Sequence, residues 1–416
     1  MASLLLHFPF FQKLLSLQKN NLILFRVGHA DKNDSYHFSI IGGHNQIFLR
    51  METLKFVCKD KKQQEFADTV RKKVNDYFNQ RGITTKGNYR MVLKSAVMLT
   101  VYILPLVLVL TVSMPYFVSL LMWLLMGTGM AGIGMCIMHD AIHGAYSNKK
   151  WINKMMGGTM YILGSNVLNW RIQHNNRHHI FTNTEGFDHD ISSRGPLRLS
   201  QFAPLRRIYY YQHIHAFFFY GLITIIKLGG DFTQFFEFKR SGFMKLNNVN
   251  IPWSFMRMLL VKILYLFAFL VLPVMFTNFT VLQILLGFFL MHWIAGCILS
   301  TTFQMAHIVE GSEQHLPDKE GLMEVDWTYH QLRTSSDCAR DNVFIGWYLG
   351  GLNFQIEHHL FPTVCHIHYR KIAPIVEQVA KDFGYRYNIK QRFTTALRSH
   401  VGRLKVLGRQ APVTNS

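Results

Sequence analysis

Long apolar blocks separated by polar stretches dominate this chain, in place of the short alternations of a soluble core. Four blocks are long enough to cross a bilayer, which takes about 20 mostly apolar residues. They run from Ser95 to Phe117, Val118 to Met138, Met258 to Phe276 and Val281 to Phe303. Little chain separates the first from the second or the third from the fourth, so two hairpins are predicted. The turns, around Met114-Pro115 and Asn278, hold no Lys or Arg. Lys86, Arg90, Lys94, Lys149, Lys150, Arg257 and Lys262 lie at or near the opposite ends. The positive-inside rule then puts both termini and both large polar regions in the cytoplasm. The stretch 140–255 is too long for a simple loop. Its apolar parts, Trp151 to Leu168 and Phe217 to Leu228, fit helices lying in the interface or re-entering it.

Ahead of the first span, Phe66, Val70, Val74 and Phe78 recur at steps of four with Lys and Glu on the other faces. That spacing predicts an amphipathic helix, on the membrane surface or packed against the protein. Four regions follow: an N-terminal extension (1–50), a cytoplasmic amphipathic region (51–94), a membrane-bound unit (95–408) and a tail (409–416). The opening "MASLLLHFPFFQKLLSL" has no basic start and no small-residue cleavage site, which argues against a secretory signal. The change of character at Met51 points to a working chain that begins there.

Composition sharpens the class. Apolar residues make up 49% and charged ones 16%, well under the roughly 25% charge of soluble domains. A net charge of +20 suits a face toward anionic lipid better than nucleic acid, given the blocks. Five scattered cysteines, Cys58, Cys136, Cys297, Cys338 and Cys365, form neither a Cys-x-x-Cys pair nor a disulfide framework.

The chemistry lies in the histidines. The second span ends in "HDAIH", where His139 and His143 share one helix face. The next polar region carries "HNNRHH". His174 and His178 there are one turn apart, and His179 lies about 100° further round, toward a neighbouring ion. The fourth span leads to His307 in "FQMAHIVE" and onward to "QIEHH", with Gln355, His358 and His359. All emerge on one side of the membrane. Imidazole suits iron, copper, nickel or zinc, and one zinc takes three or four ligands. Eight histidines and Gln355 are enough for two ions. A transporter or purely structural role fits poorly, because histidines of a transport path would sit within the membrane.

These clusters, with "HHIFTNTEGFDHDI" and "GGLNFQIEHHLFPTVCHIHY", resemble the integral-membrane fatty acid desaturases. The Gln-led third cluster is similar to the acyl-lipid, front-end branch and to bacterial linoleoyl-CoA desaturase-like members. The resemblance spans roughly residues 60–408. It implies an all-α integral membrane protein of four transmembrane helices in two hairpins, with a cytoplasmic helical cap carrying a histidine-rich di-iron site. It further implies a non-haem di-iron centre that uses dioxygen and two electrons to place a cis double bond in a long acyl chain.

On that resemblance His139, His143, His174, His178, His179, His307, His358 and His359 hold two irons. Gln355 stands where related enzymes can have histidine, as a ninth ligand through its carbonyl oxygen or through a water. Asp140, Asp188, Asp190 and Glu357 are candidate acceptors for the ligands' second ring nitrogens. Asn176 and Arg177 are assigned to architecture. His189 and His330 are lesser ligand candidates, and His292, about 22 Å along a helix from His307, is assigned to packing. His366 and His368 are assigned to the cytoplasmic surface. Gly127, Gly129, Gly132 and Gly134 are assigned to close helix packing.

The substrate would be a long acyl chain on a lipid, on CoA or on a carrier protein. No His-Pro-Gly-Gly haem motif occurs, and the Gly-x-Gly-x-x-Gly spacing of Gly127, Gly129 and Gly132 lies within the second apolar span, not in the strand-turn-helix setting of a dinucleotide fingerprint. Electrons are therefore expected from a separate ferredoxin or cytochrome b5-type donor with its reductase, docked on the basic cytoplasmic face. The membrane would be the inner membrane in a bacterium or the endoplasmic reticulum in a eukaryote. Two rivals are a membrane di-iron hydroxylase of alkyl or acyl chains and a zinc-dependent membrane hydrolase.

Overall fold

The computed structural model describes residues 54–192, 195–318 and 321–413, together with two paired strands, Phe25–Val27 and Phe38–Ile40. The rest of the predicted extension 1–50, the boundary at Met51 and residues 414–416 lie outside the described residues.

The first helix, α1 (Lys61–Arg81), starts where the Asp60 side chain accepts from Lys62 N and ends at Gly82 in the left-handed conformation. It buries Phe66, Val70, Val74 and Phe78, the four residues of the predicted stripe. They pack against Ile356, Leu360, Ile372 and Val376, where each buried side chain contributes roughly 1.5–3 kcal/mol. This amphipathic helix thus shares a core with the C-terminal helices.

Two long helices follow, α2 (Tyr89–Thr111) and α3 (Tyr116–Ile142), joined by a short turn at Pro115. Gly127 explains their neighbours' closeness, since a β-carbon there would lie 2.5 Å from Met291 O. Beyond two short helices comes α4 (167–181), capped by the Asn166 side chain. Helix α5 (Gln212–Arg240) precedes a second hairpin, α6 (Ile251–Phe276) and α7 (Val281–His307). Thr280 and Gln283 form a capping box at the start of α7. The C-terminal part adds α8 (Trp327–Thr334), α9 (Gln355–Leu360), α10 (Tyr369–Asp382) and α11 (Phe393–Leu407). Two parallel strand pairs stitch it together, Lys55–Phe56 with Leu322–Met323 and Asp337–Cys338 with Ile389–Lys390. The chain is therefore mostly helical, with small strand pairs that the all-α expectation omitted.

Five helices, against the expected four, are long and apolar enough to cross a membrane. The extra one contains α5, whose apolar part is the Phe217 to Leu228 stretch. Its two ends are informative. Gln212 near the start donates to Leu404 O of α11, and Glu237 near the end lies 3.8 Å from Arg177 of the second histidine cluster. Two lysines used as orientation markers also behave differently. Lys94 and Lys262 are buried at 3% and 5% exposure, held by internal acceptors and a carboxylate.

Candidate metal centre

Local backbone geometry, more than helical spacing, aims the histidines. α3 loosens into a π-helical segment, Ile133–Met138, directly before His139. α4 does the same over His174–His178. A π turn aligns residues i and i+5, so His179 comes back over His174, their Nε2 atoms 3.2 Å apart. His307 is the last residue of α7. The third cluster, "QIEHH", follows two glycines of positive φ, Gly350 and Gly351. At Gly351 a β-carbon would also strike His366 at 2.7 Å, so a side chain there is excluded twice over.

The side chains gather into two groups. His139, His143, His174 and His358 have ligand atoms within 4.8 Å of one another, and so do His178, His307 and His359. Gln355 joins the second group, its amide nitrogen 3.0 Å from His307 Nε2. His179 stands between them, its ring 4.6 Å from His143, 4.5 Å from His358 and 4.4 Å from His359. The helical-wheel assignment within "HNNRHH" is corrected here. His178, not His179, is the member that joins the other group.

The donors fit metal. His143, His178, His358 and His359 each have a buried Nε2 with no hydrogen-bond partner among the described residues, as does Oε1 of Gln355. Each such atom costs about 1–3 kcal/mol when left unpaired. His139 and His174 bring their Nε2 atoms to 3.2 Å. Two imidazole nitrogens this close share a proton or, with both rings in the Nδ1-H tautomer, flank a cation. Four donors in each group, with one shared histidine, exceed a single tetrahedral zinc site.

The opposite ring nitrogens are held from outside, which fixes tautomer and ring orientation. His178 Nδ1 lies 3.1 Å from Asp188 and 3.4 Å from Asp190. His359 Nδ1 meets Gln331 Oε1 at 2.8 Å and Thr182 Oγ1 at 3.1 Å. His307 Nδ1 donates to Thr334 O at 3.1 Å, and His358 Nδ1 lies 3.3 Å from the Tyr369 hydroxyl. Asp188 also accepts from the backbone of Asn183 and Asp190.

Charge follows this scheme. Burial and then neighbouring imidazoles hold His143, His174, His179, His358 and His359 well below the ordinary histidine range, the neutral form that binds metal. His178 differs. Burial opposes its proton, but the charge and hydrogen bond of Asp188 and the charge of Asp190 outweigh burial and raise it. Burial likewise lifts Asp190, to about 6. Burial works against the Asp188 charge too, but His178 and the backbone donors bring that carboxyl below its usual range.

Several assignments change. Glu357 touches no ligand histidine; it accepts from Tyr387 at 2.8 Å and lies in a buried pair with Asp337. Asp140 reaches His139 Nδ1 only at 3.7 Å. Its closer partner is His366, at 2.8 Å through Nδ1 and 3.1 Å through the backbone. His366 is consequently buried and not a surface residue, with Lys94 Nζ 2.7 Å from its Nε2. His330 bonds Thr182 O, and His189 contacts Arg177. His292 pairs with Tyr265 and Thr224 inside the bundle, as packing predicts. Sequence reasoning missed Gln331, Thr182, Thr334 and Tyr369, because it searched for carboxylates while most outer contacts come from neutral oxygens.

The fatty acid desaturase family profile matches residues 114–391. The chain belongs to the fatty acid desaturase family. This desaturase is 32% identical over 344 residues to a sn-1 linoleoyl-lipid 6-desaturase of Arthrospira platensis, covering 82% of the chain and 92% of the relative. The corresponding enzyme of Synechocystis is 30% identical, with 87% and 99% covered. An acyl-lipid (8-3)-desaturase of Physcomitrium patens is 34% identical, with 86% and 75% covered. The desaturase is therefore an oxidoreductase with the clustered histidines and apolar helices of a membrane enzyme.

Proposed function

We propose that this desaturase introduces a cis double bond into a long acyl chain carried on a membrane glycerolipid, using two irons held by the eight histidines and Gln355. The observation that carries the reading is the paired grouping of buried, partnerless imidazole nitrogens. The lipid as carrier, in preference to CoA or a carrier protein, is supported by the names of the relatives. Once bound, the iron pair supplies the redox chemistry by which dioxygen, two electrons and two protons become water while adjacent methylenes lose two hydrogens.

The protein's residues do the rest. His139, His143, His174 and His358 hold one ion, and His178, His307, His359 and Gln355 the other, with His179 between. Asp188, Gln331, Thr334 and Tyr369 fix the rings. The buried surroundings exclude water and leave the acyl chain to be selected by length and shape, since its reacting carbons carry no polar mark. Residues 54–413 form the catalytic unit in this proposal. α2, α3, α6 and α7 span the bilayer, and α5 lies obliquely along the histidine side, because both of its ends meet elements of that side. The histidine side faces the cytoplasm, where a ferredoxin or a separate cytochrome b5-type donor with its reductase docks on basic surface.

Expression with iron, oxygen and a compatible reductant, followed by gas chromatography and mass spectrometry of the lipids, tests the activity. A new double bond is expected; hydroxylated product without olefin would favour the hydroxylase, and one functional zinc without iron the hydrolase. Gln355→His offers a finer test. Exchanging the amide ends would set an oxygen donor beside His307, and an oxygen is a weaker donor than imidazole. Product formation is expected to survive in this variant with iron bound at least as tightly, measured by resistance to a chelator.

A further inference from the structure

A second site opens only a few residues beyond His307. It is a cleft of about 580 Å³ lined by Glu310, Ser312, Arg398, Gly402, Arg403 and Val406, among others. Nothing in the desaturation chemistry requires it. Arg403 is only partly exposed, and its guanidinium donates to Gln201 Oε1 at 2.9 Å. Among the described residues neither Arg403 nor Arg398 forms an ion pair. Burial alone holds the Arg403 guanidinium below its ordinary range. Glu313 at the other wall is taken by Arg333, which leaves the cleft with two cations and the Glu310 carboxylate.

The surface around the cleft is unusual. Segments 195–230 and 393–413 contain no Asp or Glu. Arg206, Arg207, Lys405 and Arg409 are exposed there, beside exposed Leu205, Ile208, Tyr210, Tyr211, Ile214 and Phe218. Arg409 stacks over the Tyr210 ring at 4.3 Å. The two segments are locked as one platform by Arg198. It is fully buried and donates to Ala203 O and Gln201 O on one side and to Leu407 O and Gln410 O on the other. Cations interleaved with exposed aromatic and aliphatic side chains, and no acids, are the composition of a face seated on an anionic leaflet.

We infer that this cleft binds the headgroup of the acyl-lipid substrate, and that the headgroup is an anionic one bearing hydroxyls, such as phosphoglycerol. The inference rests on the proposal that the acyl chain arrives on a glycerolipid. The guanidinium groups of Arg403 and Arg398 match phosphate oxygens, bidentately where geometry allows. The Glu310 carboxylate and Ser312 accept hydroxyl protons that a headgroup without hydroxyls lacks. The cleft's position on the chain just after His307 ties headgroup capture to the loop that leaves the metal centre.

The iron-loaded full chain in nanodiscs provides the test, with phosphatidylglycerol, phosphatidylcholine and a neutral galactosyl diacylglycerol as competing lipids. Native mass spectrometry reads which lipid is retained, and initial rates on each lipid give KM. The wild-type protein is expected to enrich phosphatidylglycerol. Arg403→Gln should reduce that preference about tenfold and raise KM for acyl chains on phosphatidylglycerol in parallel, with iron content unchanged. Arg403→Lys should recover part of the preference, and Arg398→Gln, at an exposed position, covers any folding defect of the first variant. Equal retention of all three lipids, or equal retention by wild type and both Gln variants, overturns the inference. Loss of retention with no change in KM overturns the substrate role, and preference for the galactolipid overturns the anionic chemistry. Selective retention by a protein that desaturates none of the lipids would instead count against the lipid-linked substrate, because binding is read independently of turnover.

Discussion

Replacing His178 by alanine is expected to abolish double-bond formation while leaving a membrane-inserted protein. His178 offers a buried Nε2 with no partner to the group that also contains His307 and His359. It is also the histidine whose other nitrogen carries the strongest outside support, from Asp188 and Asp190. Truncation removes one donor and leaves the buried Asp188 and the half-buried Asp190 carboxylates without their imidazole. The loss should exceed the roughly 10–100-fold typical of removing an outer partner of a ligand. Asp188→Asn supplies that comparison, since it keeps the shape and weakens only the support. Product analysis together with iron content separates the two. His178→Ala should lower both olefin and bound iron, and Asp188→Asn should lower them by the smaller factor. Unchanged product in His178→Ala would remove this histidine from the metal set.

His139, His143 and His307 were legible as neighbours because each follows a long apolar run whose end marks where they gather. His139 lies in the last turn of α3 and His307 ends α7, so both stand at the same end of these two helices. Which histidine joins which group was not legible. A wheel of 3.6 residues per turn pairs His174 with His178, whereas the π segment pairs His174 with His179. Nothing in "HNNRHH" announces that extra residue per turn, since a π turn is stabilised by the packing around it and by the sites it serves.

Buried polar partners were the other blind spot. Glu357 reads as a neighbour of two ligands, yet it sits on the far face of α9 and meets Tyr387 and Asp337. His366 reads as a surface residue of a polar segment, yet it closes a buried chain from Lys94 to Asp140. α5 shows the same limit at the scale of an element. Its hydropathy allows a span, and only its end contacts, with α11 and with Arg177, bear on how it lies.

Lys262→Met is expected to destabilise the protein strongly. The wild-type ammonium lies 2.7 Å from Asp231 and donates to Gly164 O at 2.6 Å. Asp231 is wholly buried and also accepts from Asn166 N at 3.0 Å. Removing one member of a buried pair strands the other charge, at a cost of about 3–5 kcal/mol. Lys227, 3.5 Å away, is more exposed and offsets only part of it. The effect reaches the metal centre, because Asn166 caps the helix that carries His174, His178 and His179. A stranded Asp231 therefore loosens the start of α4 as well as the α5–α6 contact. Thermal unfolding in detergent should show the drop, and bound iron should fall with it. Removing both charges, as Lys262→Met with Asp231→Asn, should recover most of the stability, since the cost comes from the lone charge and not from losing the pair. A single Lys262→Met variant as stable as wild type would mean that Lys227 alone suffices as partner for Asp231, and that the cap of α4 does not depend on the Lys262 ion pair.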